Sequence, residues 1–219
     1  MSSGNEGVLD SHRQEIAVLF CDLRGFTAFA ESAEPEEIMK LLRDYHTSLG
    51  RLVHKYAGTL ERFTGDGLIV IFNDPLPCPE PCLTAARLAV EMRTAVSELV
   101  QRWQRLGSRL GFGIGIAYGY ATLGRVGFEG RFEYTAIGSV VNLAARLCER
   151  AKAGEILVDS KVDAAIGTHM KTEFLGEFTP KGFSRAIEVF NLISSRDDGD
   201  SGSTRNHSDS LVKHSPGNL

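Results

Sequence analysis

The sequence is poor in cysteine, in surplus basic charge and in long apolar runs, and each shortage removes a class of protein. The four cysteines, Cys21, Cys78, Cys82 and Cys148, are scattered, unlike the disulfide framework of a small secreted domain. Cys78 and Cys82 have no second Cys or His pair at ligand spacing, and Pro79 and Pro81 mark a loop there, so no zinc site is expected. With 24 basic against 28 acidic residues, the net charge of -4 gives no field for holding nucleic acid. No apolar stretch approaches the roughly 20 residues needed to span a bilayer, and polar Met1–Asp10 lacks a signal-peptide core. The expectation is therefore a cytoplasmic chain with no membrane segment.

What is present suits one globular domain. Of 219 residues, 42% are apolar and 24% charged. From Ser194 the composition turns to Ser, Asp and Gly with almost nothing apolar, which predicts a flexible segment over 1–13, a folded domain over 14–193 and a disordered tail over 194–219.

Hydrophobic patterning inside the domain alternates between strand and helix. Ile16–Phe20 reads as a buried strand ending at Cys21 and Asp22. Ile38–Tyr56 carries apolar residues at helical spacing and is closed by Gly58. Leu60–Phe63 and Leu68–Phe72 flank Gly65-Asp66-Gly67 as a hairpin with Asp66 at its tip. A long amphipathic helix is predicted over Pro81–Leu106, ended by Gly107. Leu110–Ala117 and Tyr120–Val126 read as two strands that pair with each other. A helix over Val140–Arg150, a strand over Ile156–Val158, a short helix over Val162–Ile166 and a last strand over Ile187–Leu192 complete an α+β order with helices covering one sheet.

Asp22 and Asp66 each stand at a strand end beside a small-residue turn, where both can reach one ion. Magnesium takes one or two protein carboxylates and leaves its other positions to water and phosphates. Either aspartate alone could equally be a cap or a turn residue. The segment Leu23-Arg24-Gly25-Phe26-Thr27 adds a glycine turn and a helix start, which aim backbone N–H groups at phosphates. Asn142 and Arg146, four apart on a predicted helix, point toward one neighbour, although surface solvation would also account for them.

The run Phe20-Cys21-Asp22-Leu23-Arg24-Gly25-Phe26-Thr27 resembles the metal-binding signature of the class III nucleotidyl cyclases, adenylyl and guanylyl, of bacterial type. Phe63-Thr64-Gly65-Asp66-Gly67 resembles the family's second metal-aspartate hairpin. Glu133–Gly138 through Val141–Leu147 resembles the half-site that a dimer partner supplies. The resemblance implies a ferredoxin-like βαββαβ core sheet covered by helices. It also implies a homodimer that converts ATP to cyclic AMP with two Mg²⁺ or Mn²⁺ ions per site, held by Asp22 and Asp66. In such a site Asn142 orients the ribose, Arg146 opposes charge on the transferring phosphorus, and Leu23, Gly25, Phe26 and Thr27 line the phosphates.

Two positions, Arg62 and Phe183, depart from the pattern. The family reads adenine with a lysine and an aspartate or threonine, and here Arg62 and Thr135 stand there. A donor-only arginine suits the N1 acceptor of adenine, while adjacent Glu61 should be turned to the opposite face by strand alternation. The segment Pro180-Lys181-Gly182-Phe183 has phenylalanine where the family often places a triphosphate-binding lysine, leaving Lys181 as the candidate. A guanylyl or dual-specificity cyclase, or a silent nucleotide-binding dimerisation module, therefore stay open beside the adenylyl reading.

Overall fold

Thirteen residues of β1 (His12–Arg24) form the spine of the computed structural model, which describes residues 11–104, 109–129 and 131–196. There follow α1 (Phe26–Ser32), α2 (Pro35–Lys55), β2 (Thr59–Phe63), β3 (Gly67–Phe72), α3 (Pro81–Gln104) and β4 (Gly111–Phe128). Then come β5 (Arg131–Ile137), α4 (Ser139–Arg150), β6 (Ile156–Asp159), α5 (Ser160–Ile166), β7 (Met170–Phe178) and β8 (Ile187–Ser195). One sheet takes the order β2-β3-β1-β4-β6-β8-β7, with β5 paired to β4 off that path. Its first four strands are mutually antiparallel neighbours, which is the expected ferredoxin-like βαββαβ arrangement.

Alternation along β1 divides the core between the two faces of the sheet. Ala17, Leu19, Cys21 and Leu23 join Tyr45 and Leu49 of α2, Met92 of α3 and Val162 of α5. Ile16 and Val18 lie on the opposite face with Val140, Ala144 and Leu147 of α4. Burying each such large aliphatic side chain contributes about 1.5–3 kcal/mol. α2 begins with Pro35 in its first turn, and the Glu37 carboxylate accepts from the Glu34 backbone N–H at 3.4 Å. Among the described residues no helix is long and apolar enough to cross a membrane.

The structure corrects the reading of residues 110–126. Leu110–Ala117 and Tyr120–Val126 do not fold back on each other, because Tyr118 and Gly119 stay extended and pair with Ala17 and Ile16 of β1. β4 is continuous, and the strand that folds back on its second half is β5, from Thr122↔Ile137 to Phe128↔Arg131. β5 and β7 escape hydropathy reading because their side chains are largely exposed.

At the ends, β1 starts at His12, inside the segment expected to be flexible, and β8 runs to Ser195. Arg196 donates from Nε to the Met170 carbonyl at 2.9 Å. The rest of the expected tail, 197–219, residues 1–10, and the predicted helix end at Leu106 and Gly107 lie outside the described residues.

Candidate active site

Asp22 ends the apolar part of β1 on the α4 side of the sheet, and its register partners are Gly67 in β3 and Gly113 in β4. Glycine at 67 is required by close approach. A Cβ there would stand 2.5 Å from the Cys21 carbonyl oxygen and 3.1 Å from Asp22 Oδ1. At Gly113 a Cβ would run into the Arg24 guanidinium. The turn between β2 and β3 closes with Thr64 N–H donating to the Gly67 carbonyl at 2.9 Å, while Gly65 takes a positive φ of 84°. From α2, His46 lays its ring on Phe63 at a centroid distance of 4.5 Å, with its Nε2 buried and unpartnered among the described residues.

This turn brings Asp66 against Asp22. Burial, then the charge and hydrogen bond of Asp66, pushes the Asp22 carboxyl up to about 6, against the opposing pull of Arg24. Arg24 neutralises the pair poorly: its Nη1 reaches Asp22 Oδ2 only at 3.4 Å. Its Nε donates to the Ala151 carbonyl at 2.8 Å and its Nη2 to the Cys148 carbonyl. Two repelling carboxylates, with the Asp22 side chain still 42% exposed, form a hard-oxygen pocket of surplus negative charge. That donor set fits Mg²⁺ or Mn²⁺. Among the described residues no cluster of three or more His, Cys, Asp or Glu side chains is placed to hold a metal ion.

Arg62 and Thr135 also meet. Arg62 Nη2 donates to Thr135 Oγ1 at 3.0 Å, joining β2 to β5. Glu61 is where the structure overturns the reading by strand alternation. A register shift between Leu60 and Arg62 makes Glu61 the extra residue of a bulge, so it does not turn away. Its carboxylate accepts from Arg62 Nε at 2.7 Å and Nη2 at 2.6 Å, and also from the Thr135 hydroxyl.

The family model for the adenylate and guanylate cyclase catalytic domain matches residues 8–194. The chain belongs to that family. The adenylyl cyclase CyaB of P. aeruginosa superposes with a TM-score of 0.83 at 34% identity, covering 87% of this chain and 99% of that one. The guanylyl cyclase Cya2 gives 0.79 at 30% identity over 87% of this chain and 97% of its own. Adenylate cyclase 1 of Rhizobium meliloti is 32% identical over 198 residues, 88% of this chain and 30% of that protein. An uncharacterised Mycobacterium tuberculosis protein is 37% identical over 177 residues, 74% of this chain and 31% of its own. The chain thus spans about a third of the curated relatives it matches.

In this cyclase domain the remaining candidates divide between residues that follow Asp22 along the chain and others on α4 and before β8. Asn142 is exposed on α4 and Arg146 half-exposed, away from the buried Val140–Ala144–Leu147 stripe. Arg146 Nη1 donates to both oxygens of Glu149 at 2.7 Å, and the guanidinium facing Asp22 within the chain is that of Arg24. Leu23 places its side chain in the core, leaving its backbone toward any ligand. Gly25 caps α1 in the left-handed conformation, Phe26 packs on the core and Thr27 is exposed. Lys181 is exposed in the turn before β8, where Phe183 N–H donates to the Pro180 carbonyl at 3.0 Å. Phe183 itself lines a cavity of about 640 Å³ with Arg13, Ser139 and Lys161, at the opposite end of β1 from Asp22. Sequence reading did not single out Arg24 or His46, since neither contact leaves a periodic or spacing signal.

Proposed function

We propose that the domain, taken as residues 14–193, cyclises ATP to 3′,5′-cyclic AMP with release of pyrophosphate, at sites shared by two copies of the chain. The observation that carries this reading is the convergence of Asp22 and Asp66 at the end of β1, with a surplus of negative charge. Asp22 and Asp66 of one copy hold Mg²⁺ or Mn²⁺, two ions per site, which when bound acidify the ribose 3′-hydroxyl and neutralise the triphosphate. The 3′-oxygen attacks the α-phosphorus as the bond to pyrophosphate breaks, so holding the nucleotide in line is a large part of catalysis.

The chain's own residues supply that positioning. Arg62 and Thr135 read the base, the backbone of Leu23, Gly25, Phe26 and Thr27 approaches the phosphates, and Lys181 adds a positive charge. Asn142 and Arg146 come from the second copy, Asn142 to the ribose and Arg146 to the charge developing on phosphorus. A second copy is supported by two features. Arg146 and Asn142 face outward on α4, and exposed Phe63, Val126, Phe128, Phe132 and Ile137 lie on the same strands as Arg62 and Thr135 or on β4, the partner of β5.

Purified protein supplied with Mn²⁺ and ATP is expected to form cyclic AMP, identified by mass. Asp22→Ala and Asp66→Ala should each lower turnover by at least about a hundredfold, and full activity in either would remove the assigned site. Likeness to the guanylyl cyclase Cya2 keeps GTP as a second substrate to be assayed in parallel.

A further inference from the structure

The bulge in β2 places a buried carboxylate directly behind the pair proposed to read the base. Glu61 has a side chain only 5% exposed, against 49% for Arg62. Both of its oxygens are engaged within the chain: Oε2 by Arg62 Nε, and Oε1 by Arg62 Nη2 and the Thr135 hydroxyl. With three of its acceptor positions used within the chain, the carboxylate is turned to Arg62 and Thr135 rather than to a ligand. It can, however, dictate what its two partners offer.

Counting hydrogens shows what is left. Arg62 Nη2 carries two N–H groups, one given to Glu61 Oε1 and one to Thr135 Oγ1, and Nε gives its only one to Glu61. The donors free to face a ligand are therefore the two on Nη1. Thr135, 8% exposed, has its hydroxyl hydrogen turned to Glu61 and one lone pair occupied by Arg62, which leaves its oxygen a single acceptor position. The edge of adenine carries an acceptor, N1, beside a donor, the 6-amino group, and such a pocket satisfies both. The edge of guanine carries one acceptor and two adjacent donors, and the single acceptor left on Thr135 answers only one of those donors.

We infer that Glu61 is a specificity-determining positioning residue that fixes the donor and acceptor pattern Arg62 and Thr135 present to the base, and so favours adenine over guanine. This rests on the cyclase reading and deepens it. The position that strand alternation assigned to the far face becomes, through one inserted residue, part of the base subsite.

The test is the ratio of kcat/KM for ATP to that for GTP in the wild type, Glu61→Gln, Thr135→Val and the double variant, with unfolding midpoints recorded for each. Gln cannot accept from both Arg62 groups and the threonine hydroxyl, so the hydroxyl is freed to turn. The ATP:GTP ratio should fall about tenfold or more in Glu61→Gln, with KM for ATP rising more than kcat falls. Because Glu61 acts through Thr135, adding Thr135→Val to Glu61→Gln should lower the ratio less than it does in the wild type. A ratio within twofold of the wild type overturns the inference. So does an equal loss on both substrates, or strictly additive variants, which mark a structural role. If the wild type forms no cyclic nucleotide, the cyclase reading fails separately. Competition of ATP and GTP against a fluorescent ATP analogue then reads the same preference in the same variants, and an unchanged preference in Glu61→Gln overturns the inference there too.

Discussion

Asp22 and Asp159 are both carboxylates pushed up to about 6 chiefly by burial, and they answer it differently. Asp22 has Asp66 beside it and an open face toward solvent, a pocket that a divalent cation relieves. Asp159 is 5% exposed, and its Oδ1 accepts from Val162 N–H at 3.1 Å as the N-cap of α5. Its carboxyl has an ordinary value of 3.8, so between about 4 and 6 the folded chain holds a proton that the unfolded chain releases. The sign follows: the stability Asp159 contributes is fully present below about 4 and is lost as pH rises through 6. Asp159→Asn keeps a capping oxygen and removes the titration. Denaturant unfolding should show the variant gaining on the wild type by up to about 3 kcal/mol between pH 4 and pH 8. A difference independent of pH would contradict it.

At the scale of elements, the β2–β3 hairpin decides whether the carboxylates meet. Its contact with β1 leaves no room for a side chain at Gly67, whose Cβ would stand 2.5 Å from the Cys21 carbonyl oxygen and 2.6 Å from Thr64 Oγ1. Gly67→Ala should cost about 1–3 kcal/mol and move Asp66 away from Asp22, lowering turnover more than tenfold while the protein still unfolds cooperatively. Circular dichroism melts and the cyclic nucleotide assay read the two effects separately, and a fully active variant would show that the hairpin has slack. The hairpin itself was legible in sequence, since Gly65-Asp66-Gly67 between two apolar runs is a local signal. So were β1 and the helices α2, α3, α4 and α5, whose periodicity records one buried face each, whereas α1 buries no residue. Two things were not. The length of β4 was hidden because its midpoint glycine, Gly119, is paired and extended rather than turning. The facing of Glu61 was hidden because a bulge, which alternation cannot anticipate, is set by how β2 meets β3.

At the scale of the whole molecule, the two groups of residues proposed to share a site stand apart within one chain. Asp22 and Asp66 lie at one end of β1, while Arg146 points outward from α4 and is held by Glu149 on its own helix. Arg24 ties the two regions structurally, bonding the carbonyls of Cys148 and Ala151 after the Arg146 turn and reaching Asp22. If each site is built from two copies, damage to different halves should be complementable. Asp22→Asn and Arg146→Ala, each inactive alone, are mixed in equal amounts, allowed to exchange subunits, and assayed for cyclic AMP. Half the dimers are then mixed, each with one intact site, and activity should recover to roughly a quarter of the wild-type value. A mixture that forms mixed dimers, shown by differently tagged chains, yet stays as inactive as its parts would contradict the shared site.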